Sequence, residues 1–171
     1  YTRAIAGRLE EENKAVILQQ LVGKDYVERF YPTFSGVAQC HNYSPIRFMK
    51  PEDGIPPVAL GLGRTVVAGG KVLRFLPAHP RILPQMSSPR EALRSTQTSF
   101  FALNLANPNV LIDLREETTL TQPDLAAAEA DGSLASVGAT YVAAEDRIYD
   151  TIHRPGARLV NFAPILTHNH F

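Results

Sequence analysis

The chain has 171 residues, 44% of them apolar, which is enough for one sizeable domain with a buried core and excludes a disordered tail. Lysine plus arginine equals aspartate plus glutamate at 17 each, so no net field draws the chain to nucleic acid or an anionic membrane, and small molecules or protein partners are the expected ligands. A single cysteine, Cys40, excludes an internal disulfide and a cysteine-based zinc knuckle, and the longest apolar runs fall far short of the roughly 20 residues of a membrane span. With no basic start leading into an apolar core, the expected setting is the cytoplasm.

In chain order, residues 2–12 read as a short amphipathic helix, because Ile5 and Leu9 share a face while Arg8, Glu11 and Glu12 point to solvent. The helix pattern is already under way at Tyr1, which points to a piece of a longer protein. Residues 15–22, AVILQQLV, form a nearly continuous apolar run and read as a strand buried on both faces, although a short buried helix has the same pattern. A charged connection with aromatic anchors follows at 23–32. Residues 37–42 read as a second strand, antiparallel to the first.

Pro45, Pro51, Pro56 and Pro57 fix the backbone and remove ladder donors, so 43–57 is expected as a structured loop. Residues 60–70 alternate turn glycines with Val66 and Val67. A returning strand at 71–75 and a proline-rich bend at 77–84 end the first half. Ser88, Pro89 and Glu91 carry helix-start chemistry and predict a helix to about Gln97. Residues 99–105 and 110–114 read as a hairpin around Asn107, Pro108 and Asn109. Asp124 starts a short helix, LAAAEA, which Asp131 and Gly132 end. Three more strands are expected at 136–142, 147–150 and 158–163. Strands arriving in runs, with only short helices between them, predict a mostly antiparallel α+β fold over 1–171 rather than a parallel sheet.

Few residues carry candidate chemistry. Gly61, Gly63, Gly69 and Gly70 would let backbone amides approach a phosphate closely, and a plain tight turn has the same composition. Neither a Walker loop nor a Rossmann fingerprint is present. Gln19 and Gln20 end a very apolar stretch, either as edge residues satisfied by backbone or at a cleft. His168 and His170 share a strand face but lack an evident third ligand, His79 reads as a turn residue, and Cys40 and His41 point to opposite faces of a strand. Acidic runs at 10–12, 116–117 and 124–131 read as solvated faces or turns. No catalytic residue and no metal ligand is assigned.

The segments Leu18–Gln19, Ser35–Gly36–Val37 and Gly61–Leu62–Gly63 through Val66 and Val67 to Gly69 resemble, in order and spacing, the ATP-grasp nucleotide-binding domain of the phosphoenolpyruvate synthase and pyruvate, phosphate dikinase family. The likeness is best over 14–70 and looser through 74–85 and 158–166. It implies a central piece of an ATP-grasp domain that takes ATP and Mg²⁺. The intact parent would phosphorylate a carrier histidine on a separate domain, which passes the phosphoryl group to pyruvate on a third. Gln19 and the backbone of Leu21 would face adenine, and Gly61 and Gly63 would shape the turn beside the phosphates. Arg64 stands where the family has an acid and would serve as a phosphate-facing cation, or as a plain surface arginine. The family's acidic catalytic strand does not occur in the chain, so the piece alone is expected to be inactive. One alternative is a non-catalytic regulatory or interaction domain on a degenerate ATP-grasp scaffold; another is an unrelated antiparallel β domain whose glycine turns match the family by chance, in which 15–22 and 37–42 would not be adjacent strands.

Overall fold

The computed structural model describes residues 15–45, 49–77, 79, 85–106, 119–162 and 165. The strands are β1 (Lys24–Asp25), β2 (Arg29–Tyr31), β3 (Ser35–Gly36), β4 (Pro57–Ala59), β5 (Leu73–Arg74), β6 (Ala102–Asn104), β7 (Leu120–Thr121), β8 (Gly138–Val142), β9 (Arg147–Tyr149) and β10 (Ala157–Val160). The helices are α1 (Arg64–Val67), α2 (Pro89–Ser95), α3 (Leu125–Ala130) and α4 (Leu134–Val137), with a 3₁₀ turn at Pro51–Asp53. Among the described residues the strands pair antiparallel in three sheets, ordered β1-β2-β6-β7, β3-β4-β5 and β10-β8-β9. The fold is a mixed α+β one with antiparallel sheets and short helices.

One core serves all three sheets. Tyr31 from β2, Leu60 after β4, Leu73 from β5, Phe100 before β6 and Val160 from β10 pack into a single buried cluster, joined by Leu125, Leu134 and Val137 from the helices. The Tyr31 ring stacks on Tyr26 at 4.5 Å and tilts against Phe100 at 4.6 Å, a geometry that adds to the burial of large aromatic surface.

Local signals set the helix starts. The Ser88 hydroxyl accepts from Glu91 N and the Asp124 carboxylate from Ala127 N, each satisfying an amide that the first turn leaves free. Gly132, at φ +77°, follows α3 as its stop. β5, the helix at 89–95, α3 and the last three strands therefore stand close to where the sequence places them. α4 takes residues 134–137, which shortens the strand expected from 136.

Three expectations are corrected. Residues 15–22 are neither a strand nor buried: Val16, Ile17 and Leu18 are exposed, Leu18 at 92%, and no strand among the described residues offers that stretch a ladder. Pairing begins only at Lys24, where the Asp25 carboxylate accepts from Val27 N and turns the chain into the β1–β2 hairpin. The strand expected at 37–42 lies at Ser35–Gly36 instead, and its partner is β4 rather than 15–22. A proline-bearing strand became that partner because Pro57 stands at its first position, where its carbonyl still accepts from Val37 N. Of the acidic run at 124–131, Asp131 is not a solvated turn residue; its side chain is only 8% exposed. The helix at 2–12, the strand at 110–114 with its turn, His168 and His170 lie outside the described residues.

Candidate functional site

The glycine turn is built by its neighbours. β4 ends in the buried pair Ala59 and Leu60, and Leu60 has no strand opposite it. The side chain of Gln97, itself buried, takes that place: Leu60 N donates to Oε1 at 2.8 Å, and Nε2 donates to Leu60 O at 3.0 Å and to Ser99 O at 2.9 Å. An amide side chain thus copies one rung of a sheet and keeps both backbone groups of Leu60 satisfied. Thr96 beside it accepts from Val160 N at 2.9 Å, tying the same segment to β10.

Gly61 follows at φ +80°, and a Cβ there would stand 2.7 Å from both the Phe100 ring and Phe101 O. Only glycine fits. Its carbonyl accepts from Ser35 Oγ at 2.8 Å, and Leu62 N donates to Phe101 O at 2.8 Å. Gly63 differs: its φ is −60°, and a Cβ would meet only Ser35, at 3.8 Å. Its carbonyl accepts from Val66 N and Val67 N, which starts α1. Space is open where a side chain at Gly63 would stand.

Arg64 is exposed at the first position of α1, its guanidinium carbon 4.9 Å from the centre of the Phe101 ring. Thr65 is buried, and its hydroxyl has no hydrogen-bond partner among the described residues. α1 closes at Gly69, φ +76°, and Gly70 N donates to Thr65 O at 2.9 Å. Beyond this end of the helix lies an open cleft of about 330 Å³, lined among others by Thr65, Gly69, Gly70, Lys71, Ser99 and Gln122. A second cleft, of about 460 Å³, lies under the stretch that follows β3, between the edge-to-face pair His41 and Tyr43, the apolar Met49 and Ile55, and Arg74.

Of the residues singled out in the sequence, the structure brings Gly61, Gly63 and Arg64 into one turn and sets Ser35 against it. Gln19 and Leu21 stand apart on the exposed stretch 15–23, with Leu21 48% exposed. Gln97 belongs to no motif, and nothing in the local sequence marks the buried Leu60 backbone that its amide satisfies. Cys40 is a free, exposed thiol, and His79 closes a turn through His79 N to Leu76 O. Among the described residues no group of three or more His, Cys, Asp or Glu side chains gathers as a metal site, and no helix is long and apolar enough to cross a membrane.

Two ion pairs brace the fold around this region. Arg29 donates to both carboxylate oxygens of Asp131, at 2.9 and 3.2 Å, and the Tyr31 hydroxyl donates to the same group at 2.7 Å. Burial pushes the Asp131 carboxyl up, but the Arg29 and Tyr31 hydrogen bonds outweigh it and hold the group below its ordinary value. Burial also pushes the Tyr31 phenol up. Arg158 grips Glu129 at 2.8 and 2.9 Å, and this guanidinium holds the Glu129 carboxyl below the usual range.

Fold and turn together define the class as an α+β protein with a glycine turn clasped by a neighbouring strand. No family model, no curated protein and no solved structure matches the chain.

Proposed function

We propose that the chain is part of the ATP-binding surface of a phosphoenolpyruvate synthase-like phosphotransferase, on an ATP-grasp scaffold. One observation carries the reading: two of the three segments that resemble that family, 35–37 and 61–69, lie apart in sequence yet meet through the β3–β4 pair and the 2.8 Å bond from Ser35 Oγ to Gly61 O. Gly61 fixes the turn, the open side of Gly63 admits a phosphate to the backbone, and Arg64 supplies a cation at its edge. Gln19 and the backbone of Leu21 are assigned to the adenine, because their stretch is exposed and belongs to no helix or strand. In the intact parent, the other partners are a phosphohistidine domain and a pyruvate-binding domain in the cytoplasm. The described residues do not gather a site for Mg²⁺, so no residue is assigned to it and the ligand is taken as MgATP. Phosphoryl transfer needs cations and metal placed around the transferring group, and this chain alone is assigned binding only.

Calorimetric titration of MgATP and MgADP tests the reading. Saturable binding that weakens roughly tenfold in Gly63→Ala and Arg64→Ala supports it. Equal affinity in all three proteins, or no heat in any, overturns it.

A second reading, a regulatory or interaction domain on the same scaffold without chemistry, is favoured by the exposed apolar run Val16, Ile17, Leu18 and Val22. Such a surface in an extended stretch suits strand addition to a protein partner.

A further inference from the structure

The cleft beyond the C-terminal end of α1 has a lining of one sign. Thr65, Ser99 and Gln122 bring hydroxyl and amide groups, Gly69 brings a backbone position with open space beside it, and Lys71 brings a cation. No carboxylate lines it among the described residues. Phe101 forms part of the same wall. Gln122 Nε2 donates to Ser99 Oγ at 3.0 Å, which fixes the far wall. The Thr65 hydroxyl, buried and unpartnered among the described residues, lies in the near one. Hydroxyl and amide groups beside one lysine, with no acid among the described lining residues, are a composition that suits a small oxyanion.

We infer that this cleft is a phosphate site, taking a free phosphate or the phosphate of a small phosphomonoester, with Lys71 as its charge and the Gly69 amide and the Ser99 hydroxyl as its hydrogen-bond frame. At 1.5 Å of rise per residue, the four residues of α1 put the cleft about 6 Å along from the Gly61–Arg64 turn. It is therefore a neighbouring site and does not rest on the nucleotide reading.

The test follows backbone amide shifts of the 171-residue chain as inorganic phosphate is added, with glycerol 3-phosphate and phosphatidic acid vesicles as separate arms. The expected result is saturable movement of Gly69, Gly70 and Ser99 with both soluble ligands. The affinity should fall roughly tenfold in Lys71→Gln, recover in Lys71→Arg and stay unchanged in Lys24→Gln, which removes the same charge elsewhere. Shifts that follow ionic strength alone when chloride replaces phosphate, equal affinity in Lys71→Gln, or a response to vesicles only would each overturn the inference. Phosphate response at Gly69 and Gly70 with no MgATP response at Gly61–Arg64 keeps this site and removes the nucleotide one; the opposite pattern does the reverse.

Discussion

Gly61 and Gly63 stand two apart in one turn and answer to different demands. Gly61 sits at φ +80° with a ring and a carbonyl where its Cβ would be, so Gly61→Ala should cost about 2 kcal/mol or more in chemical denaturation. Gly63 has an ordinary φ and open space, so Gly63→Ala should stay within about 0.5 kcal/mol of the parent. The sequence shows both as glycine and cannot tell them apart, since the difference lies in Phe100 and Phe101 forty residues on. Asp131 makes a second prediction at this scale. Its folded value lies below the ordinary 3.8, so the stability it adds is fully present above that value and is lost as pH falls through the folded one. Unfolding midpoints from pH 7 to pH 3 should therefore drop in the parent and drop less in Asp131→Asn. Arg29→Met, which leaves the carboxylate without its cation, should cost on the order of 2–3 kcal/mol at pH 7.

Elements with local causes were legible and those with distant partners were not. The starts of α2 and α3 follow from Ser88 and Asp124, whose hydrogen bonds reach only three residues ahead. β3 lies two residues before the expected strand because its register is set by β4, on the far side of the loop at 43–57. The Arg29–Asp131 pair, 102 residues apart, leaves no trace in either local stretch, and Asp131 looked like a helix-ending turn residue, which it also is. Gln97 is the clearest omission. Gln97→Met, similar in size but without the amide, should leave Leu60 N–H and C=O unpaired in the core and cost about 2–4 kcal/mol, read as a shifted denaturation midpoint with unchanged slope. A loss under 0.5 kcal/mol would mean that Leu60 finds other partners.

Among the described residues three small sheets share one core, and the apolar stretch 15–22 stays outside it. Residues 15–22 read as core because continuous apolar runs usually are; hydrophobicity alone does not say which surface will cover a strand. Their exposure predicts that Ile17→Lys with Leu18→Lys leaves the thermal midpoint within about 1 °C and reduces self-association in sedimentation velocity, since these side chains bury little in the folded chain. Amide shifts on adding MgATP test the central claim most directly. The expected result is saturable movement of Gly61, Gly63 and Arg64 together with Gln19 and Leu21, which stand outside the sheets on the exposed stretch 15–23. Movement confined to other residues, or none at saturating nucleotide, would contradict it.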